Sequence, residues 1–146
     1  MSLPPTTRAA RLLTAAGLLL LAGCAANGVE ERRDRGLPDG VEWNDVIDRP
    51  VVLRGDEQGR VVFVAYGSGS CPVLVHDVTW EDDDHVVLTA RRTVPPFSAC
   101  TSDLAPMTSV LDLSAHDDGG PLTVAVEFPG YPDMDFTTEL PAADWQ

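Results

Sequence analysis

Residues 51–66, VVLRGDEQGRVVFVAY, decide the fold class. Two valine-rich runs flank residues 56–59 (DEQG), whose composition is typical of a hairpin turn. Short runs of β-branched and aromatic residues separated by such turns are typical of antiparallel strands. This stretch therefore predicts a β-hairpin with strands at 51–54 and 61–66.

The same pattern of short apolar runs and turns continues towards the end of the chain. Asp82 and Asp83 are typical of a second hairpin turn, and residues 116–120 (HDDGG) of a longer connection. Sustained helical periodicity is absent, and a parallel α/β sheet would require crossover helices. We therefore predict a mainly β fold for 41–146, a small antiparallel β-sandwich or barrel-like domain with about seven strands and one disulfide. The remaining predicted strands are 73–80, 85–92, 108–113, 122–128 and 135–140.

The N-terminal region has the three parts of an export signal. Arg8 and Arg11 provide the cationic flank, residues 12–22 are apolar, and small residues follow. The apolar run is too short to remain as a spanning helix, which needs about 20 residues. Residues 1–23 are therefore predicted to be a signal peptide that is removed after export.

The end of this signal carries a second pattern. Leu21, Ala22, Gly23 and Cys24 closely resemble the lipobox of bacterial lipoproteins, in which the cysteine thiol receives a diacylglycerol before the chain is cleaved in front of it. The resemblance implies that Cys24 is the lipidated first residue of the mature protein, held at the membrane by its acyl chains. An ordinary secretory signal with a chance cysteine is the alternative.

Residues 24–40 are predicted to be the lipidated cysteine and a flexible tether. They are small or charged, with blocks of alternating sign at 30–36 (EERRDRG), and contain few bulky apolar residues. As a flexible coil, this segment would span about 20–25 Å and lift the domain above the lipid headgroups. A short solvated helix is the alternative for this segment.

The charge balance argues against one class of partner. The 146 residues carry 23 acidic and 10 basic side chains, all of the latter arginine, for a net charge of −13. Loss of the two signal arginines makes the mature chain more acidic still. Because such a surface repels phosphate backbones and has no basic stripe, we predict no nucleic-acid binding.

Two cysteines remain after Cys24, namely Cys71 and Cys100. An exported domain lies in a compartment where disulfides persist, so we predict that these two pair with each other. The alternatives are a catalytic thiol or a metal-binding pair, but the spacing lacks the Cys-x-x-Cys signature of redox and zinc sites.

No recognised catalytic or metal-binding pattern is present in the sequence. Residues 67–72 (GSGSCP) lack the lysine of a phosphate-binding loop and the Gly-x-Ser-x-Gly of a hydrolase. In the predicted hairpin, Trp80 would face His85, which places His76 and His85 about 13 Å apart, too far to share an ion. We therefore predict no catalytic residue, no metal ligand and no cofactor.

Aromatic residues supply the candidate binding surface. Residues 95–97 (PPF) and 128–132 (FPGYP) form two proline-aromatic loops that would suit a binding rim. The tryptophans would suit a sugar or peptide site if exposed, and the core if buried. The sequence leaves these two alternatives open for Trp43, Trp80 and Trp145.

Two short motifs carry a resemblance to a known group. Together with the lipobox, residues 67–72 (GSGSCP) and 100–106 (CTSDLAP) resemble small uncharacterised lipoproteins of high-GC Gram-positive bacteria, in which a Gly-Ser-Ser-Ser-Cys-Pro segment precedes Cys-Thr-x-Asp. The likeness covers about residues 43–140 and departs from the group at Gly69, where serine is expected. It implies a lipid anchor and a disulfide, without naming a reaction.

These observations predict a lipid-anchored module on the extracytoplasmic face of the cell membrane that binds an envelope protein or wall polymer. One alternative is an enzyme, or an enzyme accessory, acting on the cell wall with Ser70, His76 or Asp103 near the disulfide loop. The other is a divalent-metal-binding lipoprotein that uses the acidic residues 81–84 (EDDD).

Overall fold

The computed structural model describes residues 30–94 and 99–144, apart from the side chain of Glu31. The predicted signal at 1–23 and Cys24 lie outside the described residues, as do 95–97 and Trp145. In the described ranges, no helix has the length and hydropathy needed to cross a membrane.

Two four-stranded sheets face each other across one apolar core, so the predicted mainly β-sandwich fold is confirmed. The first sheet has the order β1-β6-β3-β2 and the second has the order β4-β5-β7-β8. A four-residue helix, α1 (Trp43–Val46), and a 3-10 turn (Pro132–Met134) lie in the connections. The strands are β1 (Glu30–Arg35), β2 (Val51–Arg54), β3 (Arg60–Ser68), β4 (Val73–Asp82), β5 (His85–Arg92), β6 (Leu104–Asp112), β7 (Leu122–Glu127) and β8 (Phe136–Leu140).

Buried residues alternate with less buried ones along the strands, and the buried residues form the core. On β5, Val86, Leu88 and Ala90 are buried between the sheets, while the residues between them are only half-buried. This period of two is the expected result of side chains pointing to opposite faces of a sheet. The other buried members of the core are Val52, Val61, Phe63, Ala65, Leu111, Leu113, Leu122, Val124, Val126, Phe128 and Leu140.

One strand pair departs from the predicted antiparallel arrangement. Strands β5 and β7 are parallel, with Val86 opposite Val124. Parallel neighbours need a crossover connection, and here strand β6 supplies it from the opposite sheet instead of a helix. The crossover places the end of β5 beside the end of β7.

Residues Glu30–Arg35 form strand β1, so the tether predicted at 24–40 does not extend through them. The strand pairs antiparallel with β6, where Asp34 lies opposite Thr108. Polar contacts hold it, since the Ser109 hydroxyl donates to the Glu30 carboxylate at 2.8 Å. Charged side chains are common on edge strands because they oppose pairing with other chains.

The sandwich has two ends with different loops. The β3–β4, β5–β6 and β7–β8 connections lie at one end, which we call the disulfide end. The β2–β3, β4–β5 and β6–β7 connections lie at the other, which we call the acidic end because of its aspartates and glutamates. Strand β1 starts at the acidic end, because Glu30 lies opposite Leu111 near the end of β6.

Both predicted hairpins form, and the second turns one residue later than expected. In the first, Gly59 has φ +70°, and a Cβ there would lie 2.3 Å from the Cα of Ser114. In the second, Asp82 pairs with His85, so that Asp83 and Asp84 form the turn. Register shifts along β4 account for this difference.

A buried ion pair fastens the acidic end. The Arg54 guanidinium on β2 pairs with Asp117 in the β6–β7 connection, and it also donates to the backbone carbonyls of Gly120 and Pro141. The backbone N–H of Gly119 donates to Asp117 at 2.9 Å. One arginine therefore joins β2, the β6–β7 connection and the segment after β8.

Candidate functional site

The disulfide end contains both the predicted cysteine pair and the predicted binding rim. The structure joins Cys71 to Cys100, whose Cα atoms are 5.5 Å apart, and this confirms the predicted disulfide. Cys71 is fully buried. Neither cysteine is therefore available as a catalytic thiol or as a metal ligand.

A network of hydroxyl groups surrounds the disulfide. The Thr101 hydroxyl donates to Asp103, so its oxygen accepts from the hydroxyls of Ser68 at 2.8 Å and Ser70 at 3.1 Å. The Thr101 backbone N–H donates to the Ser70 hydroxyl at 2.8 Å. The network therefore fastens the β3–β4 turn to the segment after Cys100.

Asp103 is held in its ionised form by this network. The Thr101 hydroxyl and the Gly69 backbone N–H donate to its carboxylate, and with nearby Arg35 they lower the pKa of Asp103. A Cβ on Gly69 would lie 2.3 Å from Oδ2 of Asp103. Glycine at this position lets the carboxylate approach the turn.

We expect Asp103→Asn to lower the melting temperature at neutral pH, because the amide keeps the shape of the carboxylate but not its charge. The folded pKa is lowered, so the charge stabilises the fold above the ordinary aspartate pKa of about 3.9. The difference in melting temperature between the wild type and Asp103→Asn should narrow as the pH falls through the pKa of Asp103 in the folded protein. Thermal melts between neutral and acidic pH measure the gap.

Asp39→Asn is the matched control, because Asp39 is exposed and lies outside this network. It should melt like the wild type over the whole pH range. A gap for Asp103→Asn that does not change with pH would contradict the role of the charge.

The arrangement around Ser70 lacks the base that a serine nucleophile needs. The hydroxyl of Ser70 contacts Ser68, Cys71 and Thr101, and within the described residues no histidine bonds to it. Asp103 is a poor proton acceptor because its pKa is lowered. The geometry therefore provides no activated nucleophile among the described residues.

The three histidines lie apart from one another. His76 lies 3.3 Å from the Arg91 guanidinium, and burial together with Arg91 and Arg33 lowers its pKa. His85 contacts Glu81 at 3.3 Å, and the ring of His116 packs against Trp80. In the part of the chain that the structure describes, no three His, Cys, Asp or Glu side chains are grouped to hold a metal ion.

A groove beside the disulfide is the best candidate for a binding site. We call it the end groove, and its cavity volume is about 450 Å³, within the range of small-molecule sites. One wall comes from strands β4 and β5 and the residues after them, and the other comes from the β7–β8 loop, residues 128–135. The first wall is Val73, Ala90, Arg91, Arg92 and Val94, and the second is Phe128, Pro129, Tyr131 and Met134.

Hydrogen bonds hold the β7–β8 loop in one shape. The Asp135 carboxylate accepts from the Phe128 backbone N–H at 2.7 Å and so closes the loop at its base. Inside it, the Tyr131 N–H donates to the Phe128 carbonyl and the Met134 N–H to the Tyr131 carbonyl. Tyr131 is nevertheless 67% exposed, so this loop holds an aromatic side chain out in solvent.

Exposed apolar side chains are concentrated at the end groove. Six large apolar residues are exposed among the described residues, and three of them, Val94, Tyr131 and Met134, line the groove. Apolar surface collected in one concave place is typical of a ligand or partner site.

The groove also contains two of the chain's few cations. Arg91 contacts His76, whereas the exposed Arg92 has no hydrogen-bond or ion-pair partner among the described residues. Acidic residues outnumber arginines by 23 to 10 in this chain, so an arginine beside an apolar wall with no acidic partner among the described residues is unusual. It provides a fixed positive charge next to apolar surface.

The structure settles part of the open question about the aromatic residues. Trp43 is 43% exposed and packs edge-on against Tyr66, with ring centroids 4.3 Å apart, whereas Trp80 is partly buried against the core. The predicted rim at 128–132 does line the end groove. No sequence pattern marks Arg91 and Arg92 for this site, because their position depends on the parallel pairing of β5 with β7.

No family model, curated protein or solved structure matches this chain. The geometry of the disulfide end is therefore the basis for assigning a function.

Proposed function

We propose that this protein is a binding module, anchored by lipid at Cys24 on the extracytoplasmic face of the cell membrane, with the end groove as its binding site. One observation carries the binding role: a hydrogen-bonded loop and a disulfide-fastened sheet end hold Tyr131 and other exposed apolar side chains around a single concavity. Preorganised apolar walls reduce the entropy lost on binding.

The position of β1 supports this combination of anchor and site. Residues 25–29 separate Cys24 from the start of β1, and fully extended they cover at most about 20 Å. Because β1 starts at the acidic end, the anchor holds that end near the membrane. The end groove lies at the opposite end and faces away from the lipid.

The two alternative functions receive less support. A cell-wall enzyme would need a base near Ser70, and the described histidines lie elsewhere. A metal-binding lipoprotein would need grouped ligands, whereas Glu81 instead contacts His85. We therefore propose neither of them.

Cys24→Ser should abolish incorporation of a labelled fatty acid and release the protein from the membrane fraction, because only a thiol forms the thioether. Metabolic labelling followed by fractionation measures both effects. The unchanged chain is the positive control. Continued labelling of the Cys24→Ser protein would contradict the anchor.

The binding role is tested by a thermal-shift screen of the chain from residue 25, which contains every described strand. The panel comprises wall fragments, sugars, divalent cations with EDTA, and small organic acids. A ligand at a hundred times its Kd stabilises by about 2.7 kcal/mol, which raises the melting temperature by several degrees.

Two variants test whether a rise in melting temperature comes from binding at the end groove. Tyr131→Ala should remove it, whereas Leu104→Ala, which truncates an equally exposed side chain outside the groove, should retain it. The proposal fails if no compound shifts the melting temperature, or if Tyr131→Ala responds like the wild type.

A further inference from the structure

We propose that the end groove binds a small amphiphilic monocarboxylate, with Arg92 pairing with the carboxylate and the β7–β8 loop covering the apolar body. This inference rests on the proposed function, because it names the ligand class of the same site. Three observations carry it: the cation of Arg92, which has no partner in the described part of the chain, the apolar wall beside it, and the size of the cavity.

The cation defines the polar end of the ligand. Arg92 pairs with Val73 in the β4–β5 ladder, at the mouth of the space between the sheets. A guanidinium presents parallel N–H donors that match a carboxylate in a two-point contact. Arg91 is engaged with His76, so Arg92 is the one of the two that can form this contact in full.

The walls define the apolar end of the ligand. Val73, Val94, Phe128 and Met134 offer aliphatic, aromatic and thioether surface, and Tyr131 adds an exposed aromatic ring. Apolar contact of this kind gains about 25 cal/mol for each Å² removed from water. An acetate-sized anion would leave these walls wet, and a hydrophilic anion would gain nothing from them.

Charge favours a monoanion over a dianion. The chain carries a net charge of −13, so each additional negative charge on a ligand increases its repulsion from the protein as a whole. The guanidinium of Arg92 matches a single carboxylate in a two-point contact. A phosphate ester or a dicarboxylate would bring a second charge to a protein that is already strongly anionic.

Matched probes separate the two requirements. Octanoate and 3-phenylpropanoate carry both a carboxylate and an apolar body, octanol and 3-phenylpropanol lack the charge, and acetate lacks the body. Titration calorimetry with the chain from residue 25 should show binding of the two amphiphilic acids. The alcohols should bind at least about tenfold more weakly than the acids, because they lose the charged hydrogen bonds. Acetate should show no detectable binding.

Arginine variants test the assigned contact. Arg92→Gln should weaken octanoate binding by about tenfold and leave octanol binding unchanged. Arg49→Gln is the matched control, because Arg49 is exposed and lies outside the groove. It should bind octanoate like the wild type, and both variants should melt at the wild-type temperature without ligand.

Several outcomes would overturn the inference: equal affinity for octanoate and octanol, wild-type octanoate binding by Arg92→Gln, or no binding of either amphiphilic acid. If the acids fail while another compound gives a shift that depends on Tyr131, the ligand class is wrong and the binding role stands. If no compound shifts the melting temperature, both proposals fail. Capture of a peptide in place of the acids would also assign the groove to a different class of ligand.

Discussion

Replacing Cys71 or Cys100 by alanine is expected to lower the free energy of unfolding by about 3–4 kcal/mol. The disulfide closes a loop across 29 positions and so restricts the unfolded chain. It also ties the β3–β4 turn to the segment before β6. Chemical denaturation of the oxidised chain gives the free energy directly.

The double variant identifies the cause of this loss. Each single substitution removes the same bond, so Cys71→Ala with Cys100→Ala should be about as stable as either variant alone. The wild type measured under a reducing agent should lose a similar amount. Losses that add up in the double variant would show that the two side chains act independently.

The second large effect is expected at the acidic end, where Asp117→Ala should cost about 3–5 kcal/mol. The side chains of Arg54 and Asp117 are only 11% and 2% exposed, so removing the carboxylate leaves a mostly buried guanidinium without a counter-charge. The Gly119 N–H loses its acceptor as well. Urea denaturation compared with the wild type measures the loss.

An exposed ion pair provides the control. Arg32 and Asp34 also form a salt bridge, but both side chains are more than half exposed, and Asp34→Ala should cost no more than about 1 kcal/mol. Changing Arg54 to Met together with Asp117→Ala should recover part of the loss, because no unpaired charge remains. If Asp117→Ala and Asp34→Ala cost the same, the buried pair does not fasten the sheets.

The sequence predicts most strands because their signals are local. Strands 51–54 and 85–92 are found with the predicted bounds, since β-branched runs end there at acidic or glycine-containing turns. Strand β1 has no apolar residue in it and is held by partners such as Ser109, far along the chain. A hydrophobic pattern cannot reveal a strand of this kind.

The candidate site was predictable only in parts. The pairing of Cys71 with Cys100 follows from counting cysteines, and residues 128–132 stand out by composition. Arg92 gave no signal, because it becomes part of a groove only when β5 lies beside β7. Strands β5 and β7 are neighbours because β6 joins the other sheet. The residues that determine this choice are spread over the whole core.

Strand β6 lies in the opposite sheet from β5 and β7, its neighbours in sequence, and this arrangement affects the order of folding. Strand β1 pairs with β6, and Glu30 meets Leu111 across 81 positions of chain, so the first strand has no partner until the sixth is in place. Contacts that are so distant in sequence slow folding, because loop entropy is lost before the contact is gained. We therefore expect β1 to dock late, after the rest of the sandwich has assembled.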